Sequence, residues 1–185
     1  MTSSAATKLL QSGSVGVLPT DTVYGLVARA SDVGAVERLY HLKHREKKPG
    51  TIIAASIDQL VALGIKKRYL TAVSQYWPGA VSVVIPCGPE LAYLHQNKGS
   101  LAVRIPDVPA LRELLAVTGP LATSSANDPG APTANTVAEA EAYFGDKVDF
   151  YEDGGDLSQH QPSTVIRVVD DAIEVLRAGA VTIEV

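Results

Sequence analysis

The stretch LAVRIPDVPALRELLAVTGPLATS, Leu101–Ser124, decides the fold. Leu101 to Ile105 is a short apolar run of the kind that makes a buried strand. Asp107 and Pro109 open a helix that runs to about Val117, where Gly119-Pro120 stops it, and Pro120 to Ser124 reads as a second strand. Strand, helix and strand within 24 residues is the signature of layered α/β architecture rather than of a bundle or a sandwich. Working outward, further strands are expected at Ser14–Leu18, Thr51–Ala55, Ala80–Ile85, Val148–Tyr151, Thr164–Val169, Ile173–Arg177 and Val181–Val185. Ser56-x-x-Gln59 and Thr136-x-x-Glu139 fit capping boxes, with stop signals at Gly64 and Gly145. Helix crossovers give parallel pairs and the helix-free tail gives antiparallel ones, so the expected fold is a single mixed parallel and antiparallel sheet flanked by helices. No repeat or linker divides the chain, and residues 1–185 are expected to form one domain.

Composition narrows the function classes. The chain of 185 residues is 46% hydrophobic and 19% charged with a formal net charge of -4, far from the disordered corner of composition space. A lone cysteine, Cys87, precludes an internal disulfide, and Met1 to Lys8 lacks an apolar signal core, so a reducing cytoplasm is the expected compartment. The uncharged window from Tyr69 to Pro89 is broken by Gln75, Pro78, Gly79 and Pro86, so no membrane span is expected. An acidic chain binds a polyanion only through a local basic patch.

One such patch exists. Between Glu37 and Lys48, five Lys or Arg (Arg38, Lys43, Arg45, Lys47, Lys48) face two Glu, a local net charge of +3. On the helix that starts near Asp32, Val36, Leu39, Tyr40 and Lys43 fall at i, i+3, i+4 and i+7, so Lys43 ends the inward face. It either snorkels with its head in water or points into a cleft. Two polar segments leave strands elsewhere, Pro19–Gly25 and Thr123–Gly130; each is either a Ser/Thr or Asx turn or a set of ligand-binding hydroxyls and amides. Three polar strand exits in one apolar chain, one of them cationic, favour an anionic small molecule. There is no Walker loop, no G-x-G-x-x-G and no nucleophile elbow. His41, His44, His95 and His160 make no metal constellation, so no metal ligand is expected. Cys87 reads as an inert small hydrophobe, and covalent catalysis has no candidate base.

These residues also carry a resemblance. Pro19–Leu26, Leu42–Arg45, Trp77–Gly79, Leu101–Arg104, Ser124–Asn127 with Gly130, Pro162–Val165 and Leu176–Gly179 follow the order and spacing of the threonylcarbamoyl-AMP synthases, the YrdC/Sua5 family, in its short bacterial form. The resemblance implies a twisted mixed sheet with a concave, positively charged cavity. It implies a nucleotidyltransferase that makes threonylcarbamoyl-AMP and pyrophosphate from L-threonine, bicarbonate and ATP. A tRNA-modifying transferase complex would then pass the threonylcarbamoyl group to the adenosine beside the anticodon. Carried over residue by residue, Lys43, Arg45, Ser125 and Asn127 are the catalytic set around the phosphates. Ser100, Ser124 and Arg177 join them in holding ATP, while Thr20, Thr22, Tyr24, Arg104 and Ser163 hold threonine. Mg²⁺ is expected on the phosphates themselves. The sequence departs from the family at Ala80, Ser82 and Asp128-Pro129, which lie beside the motif residues. Two rival readings are a double-stranded RNA-binding module on the basic face, expected to be weak for an acidic chain, and a nucleotide sensor without turnover.

Overall fold

Strands and helices alternate as the apolar pattern requires, and they join into one mixed sheet with helices against both faces. The computed structural model describes residues 4–44 and 48–185. In chain order the elements are α1 (Ser4–Gln11), β1 (Gly16–Pro19), β2 (Tyr24–Arg29), α2 (Val33–Leu42), β3 (Thr51–Ile53), α3 (Ile57–Leu63), α4 (Lys67–Ala72), β4 (Val81–Pro86), α5 (Ala92–His95), β5 (Ser100–Arg104), α6 (Pro109–Thr118), β6 (Leu121–Ser125), α7 (Val137–Phe144), β7 (Phe150–Tyr151), β8 (Thr164–Val169) and β9 (Ala172–Arg177). The nine strands among the described residues are ordered β7-β1-β2-β6-β3-β5-β4-β8-β9. Three neighbouring pairs are parallel, β1 with β7, β3 with β5 and β4 with β8, and the others are antiparallel.

The capping residues act as the sequence requires. Asp32, Ser56 and Thr136 each accept a backbone N–H three residues on, satisfying a donor that the first helical turn leaves open. At α6 the residue before the helix is Val108 rather than Asp107, and no side chain caps it. Pro109 stands in the first turn, where its missing N–H costs nothing.

Three features differ from the sequence reading. β2 lies where a polar turn was expected to lead onward: only Thr20 to Val23 form the turn, and Tyr24 folds back to pair with Pro19 in a hairpin. Residues 181–185 form no strand, because β9 is the last strand in the order and the chain passes it with Val181 bonded to Thr164 instead. The helical crossover in Leu101–Ser124 does not join parallel neighbours. β3 lies between β5 and β6, parallel to the first and antiparallel to the second, so β5 and β6 run in opposite directions.

Alternation divides the side chains between the two faces. One face carries Leu26, Ala28, Ile52, Val83, Leu101 and Val103 into the larger core, against Val36 and Leu39 of α2, Leu60 of α3 and Leu94 of α5. On the opposite face Leu18, Val27, Ile53 and Leu121 pack beneath Ala6 and Leu10 of α1 and Leu111, Leu114 and Leu115 of α6. These two helices roof only part of that face.

Candidate active site

Beyond the edge of that roof the same face opens into a cavity of about 270 Å³. Its floor is set by register: Gly25 pairs with Ser125, Thr123 with Thr51, and Thr51 with Ala102. The floor residues are small, and that leaves the space open. A Cβ on Gly25 would lie 2.5 Å from the Thr123 hydroxyl oxygen, so only glycine fits there. Thr20, Thr22, Ser124, Ser163, Arg104 and Arg177 stand around this floor.

Arg104 ends β5 and is 3% exposed. Its Nε and Nη2 donate to the two carboxylate oxygens of Asp21 at 3.1 and 2.8 Å, and its Nη1 donates to Ser82 Oγ at 3.0 Å. Ser82 Oγ is 2.9 Å from Ser163 Oγ, and Arg177 donates to the Ser163 hydroxyl at 3.1 Å and to its carbonyl at 2.7 and 3.1 Å. The Asp21 and Arg104 side chains are 5% and 4% exposed, so this pair is desolvated, and its charges are little screened by water. Desolvation and the charge of Arg104 pull the Arg177 pKa below its ordinary value. Two guanidiniums therefore meet at this wall, and a single carboxylate among the described residues, that of Asp21, bonds to Arg104, while Arg177 bonds to Ser163. Three of the five Arg104 N–H groups are used in these bonds.

The second cluster lies under the end of β6, and of its residues Ser125 lines the cavity while Lys43 and Asn127 stand behind it. Lys43 is the C-cap of α2 and is 5% exposed, so it does not snorkel into water. Its ammonium donates to Ser125 O at 2.8 Å, Asn127 O at 2.8 Å and Asn127 Oδ1 at 2.6 Å. Ser125 Oγ also donates to Asn127 Oδ1 at 2.7 Å, and Asn127 Nδ2 donates to Ala131 O at 2.8 Å. The inward stripe of α2 thus carries its last residue under the turn that leaves β6. Arg45 lies outside the described residues.

The hydroxyls are placed unevenly. Thr20 Oγ1 donates to Val23 O at 2.6 Å and accepts from Thr22 N, which makes the Thr20–Val23 connection a Ser/Thr turn as well as a cavity wall. That turn delivers Asp21 to Arg104. Tyr24 does not reach the cavity. It is fully buried, its hydroxyl donates to Gly155 O and accepts from Gly154 N, both at 2.8 Å, and burial raises its pKa. It anchors the segment after β7, because a phenol inside a core needs partners for its oxygen. Ser100 starts β5 opposite Pro86, on the same face as Ala102 and Arg104 but outside the cavity wall. Half-buried Cys87 is pushed up to about 11 chiefly by desolvation, as suits an unreactive thiol. Sequence reasoning missed Asp21 and the role of Ser82. An acidic residue between two threonines was the signal for Asp21, and Ser82, set aside as lying beside the motifs, is fully buried between Arg104 and Ser163.

The fold and site define a class: a mixed α/β sheet whose half-roofed face presents a small cavity with arginines in its wall and a lysine-held turn beside it. The profile of the Sua5/YciO/YrdC family, described as telomere recombination, matches residues 8–179, and the chain belongs to that family. It is 34% identical over 184 residues to a putative threonylcarbamoyl-AMP synthase of Mycobacterium tuberculosis, covering 97% of this chain and 85% of that one. It is 34% identical over 164 residues to the threonylcarbamoyl-AMP synthase of Pseudomonas aeruginosa, covering 86% and 89%. The crystal structure of P. abyssi Sua5 complexed with L-threonine superposes with a TM-score of 0.84 at 30% identity, covering 95% of this chain and 53% of that one. The chain thus spans about half the length of Sua5. E. coli YciO shares the fold at a TM-score of 0.80 and 24% identity.

Proposed function

We propose that this protein is an L-threonylcarbamoyladenylate synthase, a nucleotidyltransferase that uses L-threonine, bicarbonate and ATP. The observation that carries this reading is the charge count at the cavity wall: Arg104 and Arg177 both line the cavity, and among the described residues only Arg104 bonds to a carboxylate there, that of Asp21. The carboxylate of an amino acid supplies the missing charge, and the guanidinium fork suits its shape. Thr20, Thr22 and Ser163 lie within the same small space and provide hydroxyls for the rest of the ligand.

Threonine's amine condenses with bicarbonate to a carbamate with loss of water. A carbamate oxygen then attacks the α-phosphorus in line, the bond to the β-phosphate oxygen breaks, and pyrophosphate departs. No protein nucleophile is required, so the protein's contribution is positioning and fixed charge. The Lys43–Ser125–Asn127 cluster carries positive charge and oriented dipoles to the end of β6, where the phosphates would lie, with Arg45 assigned beside it by motif. Among the described residues no three His, Cys, Asp or Glu side chains gather as metal ligands. Mg²⁺ accompanying ATP is therefore assigned to phosphate oxygens and water. The product is destined for a transferase complex that modifies the tRNA adenosine beside the anticodon, and the setting is the cytoplasm. No helix among the described residues is long and apolar enough to cross a membrane.

The test is pyrophosphate release. It is expected only when threonine, bicarbonate and ATP are all present. Nucleotide binding without release would favour a sensor. Tight binding of a short RNA duplex that survives near-physiological salt would favour the RNA reading, since a +3 patch gives only salt-sensitive contacts.

A further inference from the structure

The hydrogen bonds between the two arginines have a direction that the proton inventory settles. Arg104 and Arg177 can only donate, and each donates to one of two touching hydroxyls, Ser82 and Ser163. The 2.9 Å bond between those hydroxyls uses one of their two protons, so one proton is left over. If Ser163 donated to Ser82, the spare proton would sit on Ser82, which is fully buried and outside the cavity wall, and it would have no acceptor there among the described residues. A buried donor without an acceptor is costly. If Ser82 donates to Ser163, the spare proton sits on Ser163, which lines the cavity. Ser163 then accepts from both Ser82 and Arg177 and gives its only proton to the ligand.

We propose that Ser82, a residue with no access to the ligand, is the specificity-determining positioning residue of this site. By accepting from Arg104 and donating to Ser163 it turns Ser163 into an obligate donor toward the cavity. That corner then presents the Ser163 O–H and the two remaining Arg104 N–H groups, donors only, and rejects any ligand group that must itself donate. A carboxylate offers acceptors on both oxygens; a primary amide at the same place turns its NH2 toward one of these donors. This inference rests on the synthase reading for the identity of the amino acid, but the donor polarity stands on the hydrogen bonds alone.

The experiment compares Ser82→Ala and Ser82→Thr with the unmodified protein, by steady-state kinetics and by calorimetric titration of L-threonine without ATP. Ser82→Ala is expected to raise the KM and the Kd for threonine about tenfold, the equivalent of one charge-assisted hydrogen bond, while kcat and the KM for ATP change less than about twofold. It also lowers the preference for L-threonine over L-threonine amide, because Ser163 is then free to accept. Ser82→Thr keeps the hydroxyl and restores both constants. A merely structural role would lower the melting temperature without this split and without the loss of discrimination. If Ser82→Ala does not fold, Ser82→Cys gives the same comparison, with a weak sulfur acceptor in place of oxygen. Unchanged threonine affinity and unchanged amide discrimination in a folded variant overturn the proposal. If the unmodified protein binds threonine yet releases no pyrophosphate, the synthase reading fails, and the titrations alone decide the role of Ser82.

Discussion

One sheet face carries two regions built on the same strands and finished in opposite ways. Beneath α1 and α6, the face presents Leu18, Val27, Ile53 and Leu121, all fully buried, and each large apolar side chain removed from water contributes roughly 1.5–3 kcal/mol. Past the roof, strands β2, β6, β3 and β5 present Gly25, Thr123, Thr51 and Ala102, and no helix among the described residues covers them. The backbone is continuous between the two; Ile53 and Thr51 are two residues apart on one strand and belong to different regions. The roofed half is held by packing, whereas the open half gives up apolar burial and is held by directed polar contacts. The site is a place where the sheet is left unfinished, and buried charge holds locally what packing holds elsewhere.

Substitutions test this contrast. Asp21→Asn leaves Arg104 buried without its counter-charge, and is expected to cost about 3–5 kcal/mol of stability in urea unfolding, with part of that recovered by saturating L-threonine. A loss under about 1 kcal/mol, as for an exposed pair, would mean that the open half is not held by this contact. In the roofed half, Leu121→Ala removes a fully buried side chain and is expected to cost about 3 kcal/mol. The KM for threonine of the folded fraction should not move; if it does, the two regions are coupled rather than separate.

Lys43→Ala sharpens the contrast from behind the cavity. The variant should fold and lose about a hundredfold in kcat/KM, the scale of one preorganised charge. Near-normal pyrophosphate release would remove Lys43 from the machinery. Arg45→Ala is expected to behave alike on the strength of its motif position. The mildest change is Arg104→Lys, which keeps the charge but loses the fork. It should raise the KM for threonine several-fold and the KM for ATP less. A larger rise for ATP would move Arg104 to the nucleotide end.

Much of this arrangement is legible in local sequence. The caps at Asp32, Ser56 and Thr136 are short-range hydrogen bonds within three residues, so the pattern alone specifies them. The i, i+3, i+4, i+7 stripe of α2 places Lys43 on the inward face, and only the water or cleft choice stayed open. The ambiguity at Pro19–Gly25 had a different origin. Thr20 forms the Ser/Thr turn and also lines the cavity, so the bland and the functional readings are both satisfied by one side chain. Tyr24 carries a motif position, yet its hydroxyl is spent on residues 154 and 155, which a linear reading cannot place beside it.

By itself, then, the sequence determined the α/β class, the mixed sheet, the helix caps and the family, because these follow from periodicity, from neighbours a few residues apart and from motifs in order. Tertiary structure alone decided the strand order, the existence of β2 as a hairpin partner and every bond that defines the site. Asp21 reaches Arg104 across 83 positions, Ser82 reaches Ser163 across 81, and Lys43 reaches Asn127 across 84. Such contacts are fixed by the register of strands brought together from distant parts of the chain. The two-residue period says which face a side chain takes, but not which strand will lie beside it.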